Sequence, residues 1–221
     1  ALVTCLVLGK RVGYGSENMS PHNLVLSVIG ASLLWVGWFG FNAGSQVAAD
    51  GNAGMAAAAT QIATAAAALA WMFAEWVIAK KPSVLGMISG AVAGLVAITP
   101  ASGFVDPVGA LIIGLAAGAV CYTSAVWMKR AFGYDDSLDA WGVHGVGGAL
   151  GAILTGAFAS SAINRNGHGW LIDGNAHQML IQLYDVLAVF FYCAIVTFII
   201  LKGVDMVIGL RVSREVEIEG L

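Results

Sequence analysis

Apolar runs of about 20 residues follow one another along this chain, separated by short breaks of charge, proline or polar residues. A hydrocarbon layer of about 30 Å is crossed by about 20 apolar residues in a helix. In that layer every backbone N–H and C=O must be satisfied within the segment, so runs of this length fold as helices. Five are complete, at residues 24–49, 54–79, 83–102, 107–128 and 137–160, and a sixth runs over 176–204. Residues 1–9 are apolar but too short to span, and read as the end of a helix begun upstream. The expected fold is an all-α, polytopic membrane bundle of six transmembrane helices plus the end of a preceding one.

Composition closes the other classes. Of 221 residues 59% are hydrophobic and 10% charged. With glycine counted and tyrosine left out the apolar share is about 70%, against about 45–50% in soluble domains. Low hydrophobicity and high net charge mark disordered chains, and the net charge here is −3. A basic nucleic-acid surface is unsupported. Cys5, Cys121 and Cys193 lie in apolar stretches without CxxC spacing and read as free thiols packed like small hydrophobes. Nothing before the apolar run at Ala1 reads as a signal peptide.

Lysine and arginine in short loops mark the cytoplasmic side. Lys10 and Arg11, Lys80 and Lys81, Lys129 and Arg130, and Arg211 and Arg214 fall in alternate breaks, whereas the intervening loops hold only Arg165. The C-terminus is therefore expected inside. Small residues let helices approach where lipid gives no hydrophobic drive. Gly86, Gly90 and Gly94, Gly114 and Gly118, and Gly147 and Gly151 repeat at four-residue spacing and are expected to form helix seams.

Ionisable groups inside a span are costly and mark pathways. His144, in the glycine-rich segment 136–156, is read as the one that lies well inside. A neutral imidazole offers one donor and one acceptor without a permanent charge, which suits a small polar solute, although a histidine bonded only to a neighbouring helix fits the pattern too. Asp139 is expected to cap the start of the same helix. Glu75, close to Lys80 and Lys81, and Asp205, close to Lys202, are expected to be interfacial anchors or partners of those lysines. Leu34, Trp38, Phe41 and Ser45 recur at steps of 4, 3 and 4 and share one helix face. Over about 16 Å that face grades from a polar mouth at Ser45 to an apolar interior, with aromatic faces able to attract a cation. Packing alone produces such stripes as well. His168, Asp173 and His177 share a loop, but their spacing is no metal-ligand signature, and His22 reads as a solvated or capping residue. Nucleotide-binding, zinc-protease and hydrolase-elbow motifs are absent from the sequence.

The segments GWFGFNAGS, ITPASG, GVHGVGG and the closing GLRVSREVEIEGL, in that order, resemble the second half of the ammonium transporter (Amt/Rh) family, a likeness that runs from GKRVGYG to the end. The resemblance implies eleven helices with two inverted repeats and a pore in each subunit of a homotrimer, residues 1–221 supplying the end of the fifth helix through the eleventh. It assigns His144 to a pore histidine, Phe41 to one of two phenylalanines closing the outer pore, and Ser45 to the outer ammonium site. It places Trp38 and Leu34 along the pore lining. Residues 205–221 would begin a cytoplasmic tail that docks on neighbouring subunits and, in many members, answers to a PII-class protein. The family's second pore histidine and outer aspartate would lie upstream of Ala1, so an upstream half is expected. The implied function is transport of ammonium or ammonia across the cell membrane, with no cofactor and no nucleic-acid partner. A membrane sensor using the same cavity is the rival, and a kinase or cyclase-like domain appended after Leu221 would favour it. A membrane enzyme with Ser45 and His144 as nucleophile and base is a third, poorer reading.

Overall fold

The computed structural model describes residues 1–220, in which the regular structure is all helical, without a strand. After α1 (Leu2–Leu8), α2 (Leu24–Asn42) runs into a single 3₁₀ turn at Gly44–Gln46, and α3 (Gly51–Ala79) and α4 (Val84–Ile98) follow. α5 (Pro107–Tyr122) passes through a π-helical turn (Thr123–Met128) into α6 (Lys129–Phe132). A second π-helical turn (Trp141–Gly145) opens α7 (Val146–Phe158), followed by α8 (Trp170–Asp173), α9 (His177–Val207) and α10 (Arg214–Glu219). Four stretches are long and apolar enough to cross a membrane, namely Leu24–Gln46, Gly51–Ala79, Pro107–Phe132 and His177–Val207, and Val84–Ile98 is a shorter apolar helix.

The helix starts follow from ordinary capping chemistry. Asn23, Asp50, Ser83 and Asp106 each accept one N–H of the helix they precede, satisfying a donor that has no partner within the helix. Several spans begin or end a few residues from expectation, and one such boundary bears on the site. The span expected from residue 137 begins at Trp141, because Asp139 adopts a left-handed backbone (φ 53°) that breaks the helix before it.

The core is built of small residues. α3 packs against both α4 and α5, through Ala59, Ala63, Ala67, Ala97, Ala110 and Ala117, all fully buried. The glycine seams are where these helices touch. A Cβ on Gly114 would lie 2.4 Å from the Ala63 carbonyl oxygen, and one on Gly118 2.4 Å from that of Ala67. A Cβ on Gly151 would lie 2.0 Å from the carbonyl oxygen of Ala97 on α4.

Polar contacts close one end of the bundle. Arg11 of the first loop binds Asp135, and Tyr14 donates to the carbonyl of Tyr134. The tail joins them, as Glu217 accepts the Val12 N–H and pairs with Arg211, which also donates to the Leu8 carbonyl. Burial alone would raise the Asp135 carboxyl, but the hydrogen bonds from Arg11 outweigh it and hold the group below its ordinary value. The first loop, the loop before α7 and the tail therefore lie together, as the distribution of basic residues requires. Two expected pairings do not form. Glu75 accepts the Ser83 N–H and hydroxyl, a tighter partner for a carboxylate than a flexible lysine. Among the described residues Lys202 pairs with no acid, its ammonium lying 5.9 Å from the Phe198 ring centre.

Candidate functional site

The face of α2 carrying Leu34, Trp38 and Phe41 is held in place by two polar contacts to the core. Trp38 Nε1 donates to Thr99 Oγ1 at 2.7 Å, and Thr99 in turn donates to the Leu95 carbonyl. One turn on, Asn42 Nδ2 donates to Thr60 Oγ1 at 2.9 Å. These bonds fix the azimuth of α2, so its remaining ladder residues point away from the core. The Trp38 and Phe41 rings meet edge to face with centroids 5.9 Å apart. Ser45, in the 3₁₀ turn, donates its hydroxyl to the Phe41 carbonyl.

A succession of cavities follows this face. The outermost, about 260 Å³, is lined by Ser45, Gln46, Asn42, Asn52, Thr99 and Phe41. Phe41 also borders the next, about 540 Å³, with Trp38, Leu34, Leu33 and Gly37. Leu34 borders a third, about 340 Å³, with Val143, Leu138, Asp139 and His144. On the other side of His144 a fourth, about 410 Å³, lies between Trp141, Gly148, Phe190, Asp185 and residues 1–3. All five ladder and histidine positions expected from the sequence are thus joined on one side of the molecule, amides at one end and imidazole at the other. That side is open, Leu34 being 50% and Phe41 60% exposed, and His144 is exposed within this chain.

His144 is carried by the π-helical turn Trp141–Gly145, a form that recurs at functional sites. Asp139 does not cap it. The Asp139 carboxylate is taken by Lys129, and the cap is Asp136, whose two oxygens accept the N–H groups of Ala140, Trp141 and Gly142 at 2.8–3.2 Å. The left-handed turn at Asp139 swings its own side chain away from the helix start and brings Asp136 beneath it.

Three functional positions escape the sequence reading. Asp136 obeys the capping rule as well as Asp139 does, and only the path of the loop separates them. Thr99 carries no signal of its own. Asp185, the ninth residue of α9, does carry one, since it is a carboxylate within an apolar span, and it lines the same cavity as His144. No group of three metal-binding side chains occurs among the described residues, and His168 stands 3.8 Å from Asp173.

Comparison with known proteins gives the family. The model of the "Ammonium Transporter Family" matches residues 1–221. An ammonium transporter of Bacillus subtilis (strain 168) is 47% identical over 100% of this chain and 54% of its own length. One of Aquifex aeolicus (strain VF5) is 49% identical over 99% of this chain and 50% of its own length. Among solved structures, Saccharomyces cerevisiae Mep2 superposes with a TM-score of 0.89 at 35% identity, over 97% of this chain and 50% of that one. A "Sensor Amt Protein" superposes at 0.88 with 30% identity, over 99% of this chain and 54% of that one. The chain spans about half the length of the relatives it matches.

Proposed function

This chain belongs to the ammonium transporter family, and from that premise we propose that it forms one wall of a conduit carrying ammonium or ammonia across the cell membrane. The observation that carries the reading is the succession of open grooves, each sharing a lining residue with the next, from Ser45 past Phe41, Trp38 and Leu34 to His144. An ammonium ion gathers at the polar end, where Ser45 and the neighbouring amides offer oxygen acceptors and the aromatic faces of Trp38 and Phe41 attract positive charge. Beyond Phe41 the lining turns apolar. A full charge there is costly, whereas ammonia loses only hydrogen bonds, so the ion gives its proton to water at the polar end, at or before Phe41. The His144 imidazole, neutral and with one donor and one acceptor, replaces the hydrogen bonds of the lost water. The opposite wall comes from the upstream half of the protein.

The same reading makes the six helical segments membrane-crossing and the whole protein a homotrimer in the cell membrane. It puts the end that holds Arg11, Asp135 and Glu217 in the cytoplasm, where the tail offers a surface for a PII-class protein. Likeness to a sensor protein supports a second reading, in which the cavity reports ammonium to a partner. Higher identity to proteins named as transporters favours transport. An enzyme built on Ser45 and His144 finds no support in a hydroxyl turned onto its own helix and an imidazole two cavities away.

Methylammonium uptake by the full-length protein in liposomes tests the proposal. His144→Ala is expected to lower uptake at least tenfold, with no partner protein present. Uptake and saturation unchanged by that substitution would end the conduit reading, and an unsubstituted protein that binds ammonium without moving it would favour the sensor.

A further inference from the structure

Five helices here begin on a side chain that accepts a single backbone N–H, from Leu26, Ala53, Gly86, Gly109 and Val216 respectively. The helix bearing His144 begins differently. Asp136, 3% exposed, takes three successive donors on one carboxylate, Ala140 at 3.0 Å, Trp141 at 2.8 Å and Gly142 at 3.2 Å. The turn so gripped is π-helical, with the Val146 N–H reaching back five residues to the Trp141 carbonyl. It is also pressed against the other π-helical turn, where a Cβ on Gly142 would stand 3.0 Å from Ala125 Cα. Behind it, Cys121 Sγ faces the Val143 carbonyl at 3.9 Å, and Lys129 Nζ holds the carbonyl of Asp136 itself at 3.3 Å.

We infer that Asp136 is a positioning residue of the conduit, its carboxylate fixing the wide turn that aims the His144 ring between the two cavities flanking it. The inference rests on the proposed conduit role of His144. A wide turn has no intrinsic preference over α-helix, so its first two N–H groups and that of Ala140 before it must be held from outside for the turn to keep one register. Two residues after the last of those groups, the imidazole inherits that register. Asn at position 136 keeps the shape but turns an amide NH₂ toward backbone donors, and the grip on Trp141 and Gly142 or on Ala140 is lost.

The experiment uses the full-length protein, with Asp136→Asn, Asp106→Asn as the loss of an ordinary cap, His144→Ala, and the double variant of Asp136→Asn with His144→Ala. Methylammonium uptake in liposomes is measured beside the rate at which diethyl pyrocarbonate modifies His22, His144, His168 and His177, read by mass spectrometry. Asp136→Asn is expected to lower maximal uptake at least fivefold and to change the modification rate of His144 at least threefold, leaving the other three histidines unchanged. Asp106→Asn changes neither rate. In the His144→Ala background Asp136→Asn adds no further loss, as expected when one residue acts through the other. Independent, multiplying losses would overturn the inference, as would an unchanged His144 rate, and the labelling result decides where His144→Ala leaves no uptake to measure. Should Asp136→Asn fail to fold, Asp136→Glu is labelled in its place under the same criterion. If His144→Ala alone leaves uptake intact, the conduit role fails, while the labelling of Asp136→Asn still judges the positioning.

Discussion

Gly151→Ala and Gly148→Ala form a matched pair on one helix, α7, that separates close packing from backbone preference. Each gains about 1 kcal/mol of helix propensity over glycine. At position 148 the new methyl meets nothing nearer than Val96 Cγ1 at 3.8 Å, an ordinary contact. At position 151 it would lie 2.0 Å from the Ala97 carbonyl oxygen, 2.7 Å from its carbon and 2.8 Å from its Cα. Restoring ordinary contact at 3.4 Å requires α4 and α7 to part by about 1.4 Å. The obstacle is backbone rather than a pliable side-chain tip, so the cost belongs at the upper end of the overpacking range, about 3 kcal/mol. Gly151→Ala is therefore expected to lose about 2 kcal/mol net, and Gly148→Ala to gain up to about 1. Thermal unfolding of the full-length protein in detergent, followed by tryptophan fluorescence, reads the difference. A Gly151→Ala protein that melts at or above the Gly148→Ala protein would refute the claim that glycine is what lets these two helices meet.

Thr99→Val removes the acceptor for Trp38 Nε1 and leaves an indole N–H unpaired, a penalty of about 1–3 kcal/mol that the ring escapes by turning. Methylammonium uptake is expected to fall several-fold and to recover in Thr99→Ser; equal uptake by the valine variant would show that Trp38 is oriented without it. The Asp135 carboxyl is held below its ordinary value by Arg11, so its contribution to stability is complete above a pH of about 3.9 and lost as pH falls through the lower folded value. Asp135→Asn should lower stability near neutral pH by about 1 kcal/mol, discounted because the Arg11 side chain is 43% exposed, and should flatten the acid limb of a melting curve recorded from pH 7 to 3. Identical acid limbs for the two proteins would count against the pairing.

The helices were legible because lipid demands apolar runs long enough to cross it, and the ladder on α2 because its residues recur at the helical period. The glycine seams were legible for the same reason, since close approach of backbones leaves no alternative to glycine or alanine. The site was less so. In the segment Asp135, Asp136, Ser137, Leu138, Asp139, three acids stand within five residues and each can cap. Which one does so depends on Lys129 claiming Asp139 and Arg11 claiming Asp135, both contacts between residues far apart in spacing or on different loops. Thr99 was invisible because its partner, Trp38, lies 61 positions away. Asp185 differs from both, because the rule that finds His144, a charge within an apolar run, finds it too.

The paired wide turns at residues 123–128 and 141–145 also constrain what insertions and deletions this fold tolerates. Each regular helical residue advances the spiral by about 100°. A wide turn holds one residue more than an α-helical turn, so removing one amino acid there would let the coil close into its commonest form with later side chains keeping their places. The same loss from regular helix would swing every later side chain by that angle. Loops on the same polypeptide can lengthen or shorten with little penalty, and the wide turns are the helical places where a codon gained or lost is absorbed locally, at the expense of the geometry that presents the imidazole.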